Sequence, residues 1–303
     1  MDISKLVESM QPVKDFIVKE DVLNAIANET PLQKKFDNRK GPNVGSNPAI
    51  DYHVYSPVKP GDNTRYPVLI WLHGMGQGRC YREPLRGTKV ENFASDEYQA
   101  KFGNGAYVVV PRANEDLGLV DTIHHWLYSN SWLAGQEENG VSSQLDVLVA
   151  ALRQFLAEES ENIDTSRIYL AGFSAGGYMT WQTLFAMPEI FAKAAPICHA
   201  RFVPSTTQLE LVSNIPLWII CGIKDSLYLP DVAPTISKLE STHNAELRIT
   251  LFETVENPDK SEAKSQHASW VPVTYDMLYN DGTAYDTAYP DGFIAWLNNF
   301  YIK

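Results

Sequence analysis

Along the 303-residue chain, short apolar runs alternate with stretches whose apolar residues recur at helical spacing. Ile50-Asp51-Tyr52-His53-Val54-Tyr55 alternates apolar and polar positions, which predicts a half-solvated outer strand. Val68-Leu69-Ile70-Trp71-Leu72 is continuously apolar, as are much of 106–110, 168–171, 193–197, 217–221 and 247–252. Continuous runs suit strands covered on both faces. Between them, Leu145, Leu148, Val149, Leu152, Phe155 and Leu156 share one helical face, with Ser143 and Asp146 spaced as a capping box. Further helices are predicted over Gly177–Met187, around Asp231–Leu239, and from Phe293, Trp296, Leu297, Phe300 and Tyr301. Strands alternating with helices predict the α/β class, with a mostly parallel central sheet and helices on both faces.

Two stretches break this rhythm. Residues 79–105 and 114–140 are polar, aromatic and aperiodic, and read as long loops with room for short helices. In open α/β sheets such loops leave the carboxyl ends of the strands, where ligands bind, and Trp126 and Trp132 make candidate binding surface. The first residues carry helical spacing in Ile3, Leu6, Val7, Met10 and Ile17 with charges throughout. The organisation expected is an N-terminal helical extension over 1–48, packed on one domain over 49–303 with insertions at 79–105, 114–140 and 271–290.

Composition narrows the partners. The net charge of −12 would repel nucleic acid or an anionic membrane surface, and no lysine–arginine cluster offsets it. The first segment reads as neither a signal peptide nor a membrane span, which favours a cytoplasmic setting unless a leader has been removed. Cys80, Cys198 and Cys221 form no Cys-x-x-Cys pair, so zinc or redox chemistry is not indicated. They read as buried thiols, although Cys198 and Cys221 each end an apolar run and a bridge between neighbouring strands is conceivable. No feature fixes an oligomeric state.

The candidate chemistry lies in Gly172-Phe173-Ser174-Ala175-Gly176, which follows the run 168–171 and opens a helical segment. A Gly-x-Ser-x-Gly match arises by chance about 0.07 times in a chain of this composition, so context must carry it. Strand, sharp turn and helix supply that context, because the turn presents the serine as an exposed nucleophile. A serine hydroxyl needs a base, and imidazole, with a pKa of about 6.5, is the natural choice. Of seven histidines, His267 lies in a loop between the last apolar run and the last helix, with Trp270 beside it. His199 is the alternative. The acid orienting the base should fall between Ser174 and His267 at a strand end, which selects Asp225, with Asp231 as the alternative and helix capping as its other role. Oxyanion donors are expected from the amides of Ala175 and of Met75, in the turn His73-Gly74-Met75-Gly76.

Together these residues resemble the α/β-hydrolase superfamily from about Tyr52 onward. Ile163-Asp164-Thr165-Ser166-Arg167-Ile168-Tyr169-Leu170-Ala171-Gly172-Phe173-Ser174-Ala175-Gly176-Gly177 and Gly222-Ile223-Lys224-Asp225 are similar to segments of polyhydroxybutyrate-depolymerase-like and feruloyl-esterase-like enzymes. The resemblance implies a serine carboxylesterase with Ser174, Asp225 and His267 as triad, acting on small or aromatic esters without metal or organic cofactor. Tyr178, Trp126, Trp132 and Trp270 are the candidate substrate contacts. The insertion 271–290 departs from the pattern and stands where a wall or lid of the site would come. A prolyl-oligopeptidase-type peptidase and a non-catalytic binding protein on the same scaffold are the competing readings.

Overall fold

The computed structural model describes residues 28–59, 61, 63–79, 82–115, 131–136, 140–277, 283–286 and 292–299. Its strands are β1 (Asp37–Lys40), β2 (Asp51–Tyr55), β3 (Tyr66–Leu72), β4 (Tyr107–Pro111), β5 (Ile163–Phe173), β6 (Lys193–Ile197), β7 (Leu217–Gly222), β8 (Leu247–Phe252) and β9 (Thr283–Asp286). They form one nine-stranded sheet in the order β1-β2-β4-β3-β5-β6-β7-β8-β9. The six strands from β4 to β8 in that order run parallel, and β1, β2 and β9 add antiparallel margins. The continuously apolar runs are the parallel strands, and β3, β4, β6 and β7 are buried along their whole length. Residues inside a sheet covered on both faces have no reason to alternate.

The helices are α1 (Glu83–Arg86), α2 (Asp96–Lys101), α3 (Leu145–Glu158), α4 (Ala175–Ala186), α5 (Thr206–Leu211), α6 (Ala233–Thr242), α7 (Trp270–Thr274) and α8 (Gly292–Asn298). The amphipathic α3 buries Val147, Leu148, Ala151, Leu152 and Phe155, as its spacing predicts. Helix α4 is buried on nearly every side, which explains its weak periodicity. Among the described residues no helix is long and apolar enough to cross a membrane.

Several local expectations are corrected. Strand β2 is not a solvated outer strand, because β1 pairs along its other side and His53 is fully buried, accepting a hydrogen bond from Arg82 Nη1 at 3.1 Å. Strand β1 itself lies within the stretch expected to be a helical extension; residues 1–27, which carry the helical spacing, lie outside the described residues. The Ser143–Asp146 capping box does not form, since the first residue flanking α3 is Gln144 and makes no side-chain cap. A complete box forms instead at Ser205 and Gln208, at the start of α5.

Residues 79–105 take up the short helices allowed for in that long connection. They fold into α1, α2 and a 3₁₀ turn (Val90–Ala94) whose Phe93 is buried between Trp71 and Phe293, with ring centroids 6.1 and 6.3 Å away. The near end of the 271–290 insertion is fastened by Asp276, whose side chain is 1% exposed. Its carboxylate accepts the Ile294 N–H at 3.1 Å, in the first turn of α8, and pairs with Lys101 Nζ at 2.8 Å. Gly292, at φ +91°, makes room for it, because a Cβ there would lie 2.6 Å from Asp276 Oδ1. Lys193 of β6 closes the other end of α8 by donating to the carbonyls of Trp296 and Asn299.

Replacing Asp276 with alanine removes an acceptor from a buried amide, so unfolding free energy should fall by about 1–3 kcal/mol. Urea denaturation should show this as a lower midpoint with an unchanged slope.

Candidate active site

The segments leaving the carboxyl ends of β3, β5, β6, β7 and β8 carry every residue that sequence reasoning singled out for catalysis. Ser174 occupies the single position between β5 and α4, at φ 57° and ψ −120°. A side chain in that region is strained by about 1–3 kcal/mol, and the surroundings must over-determine it. They do so by close backbone approach. A Cβ on Gly172 would lie 2.6 Å from Gly176 O, and one on Gly176 would lie 2.1 Å from Leu72 O. The Ser174 N–H donates to Ile197 O at 3.0 Å, and its carbonyl accepts the Ala200 N–H at 3.1 Å. The elbow is thereby clamped between the ends of β3 and β6.

Asp225 and His267 are joined directly. The His267 Nδ1–H donates to Asp225 Oδ2 at 2.7 Å, with the aspartate side chain fully buried and the histidine 29% exposed. Asp225 Oδ1 is held by the Leu227 N–H at 3.0 Å. Gly222 lets the loop before His267 cross β7 closely, since a Cβ there would lie 2.6 Å from Gln266 O. Burial by itself disfavours the imidazolium, but negative charge beside the ring, that of Cys198 in its thiolate form and that of the Asp225 carboxylate, outweighs it and raises the His267 pKa. Cys198 Sγ also donates to His267 O at 3.4 Å, and Trp270 stacks on Phe173 at 4.1 Å while meeting His267 edge-on at 6.0 Å. Through these shared neighbours, the aspartate–histidine pair and the Ser174 elbow occupy one end of the sheet.

The alternatives lie elsewhere. His199 is fully buried, bonded to Thr235 Oγ1 at 3.1 Å, and burial pushes its pKa down to about 4. The Asp231 carboxylate is engaged by backbone, its Oδ2 accepting the Arg201 N–H at 2.8 Å, and only its main chain meets the His199 ring. Of the expected substrate contacts, Trp126 lies outside the described residues. Trp132 and Tyr178 are completely buried, Trp132 against His73 and Tyr178 against Phe202, so neither presents a free face. Trp270 is partly exposed.

The turn after β3 contains an arrangement that sequence reasoning missed. Gly74 N–H donates to Gln77 Oε1, and Gly76 and Gly78 N–H each donate to one oxygen of Glu115, all at 3.0 Å. Among the described residues the amides of Met75 and Ala175 have no such partner. His73 secures the base of the turn, with Nδ1–H to Gly74 O at 2.7 Å and Nε2 accepting Ala113 N–H at 3.0 Å. Burial pushes its pKa down to about 4, so it stays neutral and keeps that acceptor. The only hint in sequence is that Glu115 lies just beyond the strand next to β3.

Over residues 127–225 the sequence matches the prolyl oligopeptidase family. It is 30% identical over 177 residues to a bifunctional acetylxylan esterase/xylanase of Neocallimastix patriciarum, covering 58% of this chain and 22% of that protein. It is 26% identical over 167 residues to poly(3-hydroxyalkanoate) depolymerase C of Paucimonas lemoignei, covering 55% and 35%. The chain thus spans well under half the length of these curated relatives. A crystal structure of a thermostable esterase superposes with a TM-score of 0.64 at 24% identity, over 81% of this chain and 61% of that one.

Replacing Glu115 with glutamine sets a side-chain NH₂ against one of the two glycine amides, at a cost of about 1–3 kcal/mol. Amide exchange at Gly76 and Gly78 should accelerate by about tenfold or more, read by hydrogen-exchange mass spectrometry.

Proposed function

We propose that this chain, a member of the α/β-hydrolase superfamily, is a serine carboxylic-ester hydrolase that works through Ser174, His267 and Asp225. The fold is the one expected from the sequence, and the relatives include esterases. One observation carries the assignment of residues: the Asp225–His267 hydrogen bond of 2.7 Å at the same sheet end as a serine held at φ 57°.

In this reading Ser174 Oγ attacks the ester carbonyl carbon while its proton passes to His267 Nε2. The Nδ1–H bond to Asp225 fixes the tautomer that leaves Nε2 free to accept. The tetrahedral oxyanion takes hydrogen bonds from the Met75 and Ala175 amides, which are held ready and need no reorganisation. Glu115 and Gln77 act on that oxyanion only indirectly, by holding the amides on either side of Met75. Collapse expels the alcohol, which takes the proton from His267 and leaves an acyl-serine. Water, deprotonated by His267, then attacks the acyl carbon, releasing the acid and restoring Ser174.

Small acyl groups are the substrate class this reading favours over bulky aromatic ones. Two of the aromatic residues that would have built a wide acyl pocket, Trp132 and Tyr178, are committed to the core. A relative that carries acetylxylan esterase activity agrees with this. A peptidase is the second reading, favoured by the prolyl oligopeptidase family match. Its chemistry would use the same residues.

Replacing Ser174 with alanine should abolish p-nitrophenyl acetate turnover and fluorophosphonate labelling while the far-ultraviolet dichroism stays unchanged. Turnover retained in the variant would falsify the triad. In the intact protein, acetyl esters should be turned over faster than feruloyl esters and dipeptide amides; the reverse order favours the other readings.

Because the base is active when neutral, a raised His267 pKa places the acid limb of kcat/KM above the ordinary imidazole range of about 6.5. Replacing Asp225 with asparagine should move that limb to lower pH and reduce kcat by about 10⁴-fold, as in other serine triads. A pH profile of the two proteins checks both effects.

A further inference from the structure

The proposed hydrolysis leaves two thiols beside the aspartate–histidine pair unused: Cys221, whose Sγ lies 3.8 Å from Asp225 Oδ2, and Cys198, which meets both partners. Cys198, at the end of β6, is fully buried with φ 34°. Its sulfur, a carboxylate oxygen of Asp225 and a ring nitrogen of His267 all lie within 4.8 Å of one another. These are three different kinds of donor, brought together from three segments of the chain. Thiolate, imidazole and carboxylate are each normal ligands of Zn²⁺, and thiolate selects soft over hard cations. We propose that Cys198, Asp225 and His267 form an inhibitory site for a soft divalent cation of the zinc and cadmium class.

The geometry needs little change. Two oxygen or nitrogen ligands about 2.0–2.1 Å from a tetrahedral ion stand about 3.3 Å apart. The Asp225–His267 contact of 2.7 Å must therefore widen by about 0.6 Å, and His267 lies on a partly exposed loop. The exposed edge of His267 also gives an ion its way in. Binding displaces the thiol proton of Cys198 to solvent. The thiolate and carboxylate then carry two negative charges that balance the dication, which suits a site where Cys198 and Asp225 are buried.

Occupancy and base catalysis exclude each other. A neutral imidazole has one N–H and one lone pair. Once the lone pair is given to the ion, the ring keeps its proton on the other nitrogen and nothing remains to accept one from Ser174. This inhibition rests on the hydrolase reading, whereas the binding does not.

The test titrates the full chain with Cd²⁺ and follows the thiolate-to-metal charge-transfer band in the ultraviolet, in wild type, C198S and C80S. In parallel, p-nitrophenyl acetate turnover is followed with Zn²⁺, with Mg²⁺, and after addition of EDTA. The expected result is one Cd²⁺ per chain, with a band present in wild type and C80S and lost in folded C198S. Turnover should be lost as Zn²⁺ saturates, recover with EDTA and ignore Mg²⁺. X-ray absorption of the Zn²⁺-loaded wild type should show one sulfur at about 2.3 Å, a reading that does not depend on the variant folding. A missing band, a band surviving in C198S, or a sulfur-free shell overturns the site. A band with undiminished turnover overturns its placement on His267. A band in protein that hydrolyses no ester even without metal leaves the site standing and removes the hydrolase reading.

Discussion

The site depends on how closely the backbone of the turn between β5 and α4 approaches the ends of its neighbouring strands. A Cβ on Gly176 would overlap Leu72 O at 2.1 Å, and one on Gly177 would lie 2.7 Å from Ile197 O. The first contact fixes the turn against β3, whose next residues carry Met75, and the second fixes it against β6, which leads to Cys198. Any side chain at either position would push α4 away from the sheet. Ser174 keeps a positive φ because its own N–H and C=O are bonded on both sides, to Ile197 and Ala200. The strain is local, and the clamp that maintains it is global.

Around this clamp, the strand ends satisfy their polar groups with side chains from elsewhere in the sequence. Glu115 reaches back from beyond β4 to the turn after β3, and neutral His73 ties that turn to Ala113. Asp225 is bonded on both oxygens, by Leu227 and by His267. Unpaired acceptors in such a buried place are costly, and the carboxylates of Glu115 and Asp225 are each bonded through both oxygens. In the proposed reaction, the amides of Met75 and Ala175 are the donors left over, because Gly74 and Gly76 on either side of Met75 are already bonded.

Much of the fold was legible because the parallel strands are buried on both faces and therefore spell continuous apolar runs. The outermost strands, β1 and β9, were not. Strand β1, Asp37-Asn38-Arg39-Lys40, has no apolar residue, and pairing with β2 rather than burial makes it a strand. Residues 79–105 looked like a loop since their short helices have too few turns to show a period. His53 looked solvent-facing because alternation reports polarity, not whether Arg82 will cover the polar side.

The sequence by itself determined the order of elements, the serine on its strand–turn–helix connection, and the positions of Asp225 and His267 at later strand ends. Those follow from local pattern and from chain order. Only the tertiary structure decided that the Asp225 carboxylate rather than that of Asp231 meets an imidazole, and that the ring is His267 rather than His199. It also committed Trp132 and Tyr178 to the core, and brought Glu115 to the turn after β3 and Cys198 beside the aspartate–histidine pair. These polar contacts join residues 37 to 69 positions apart; they are set by strand order and by how closely two backbones can pass, and neither is written in the local sequence of the residues they join.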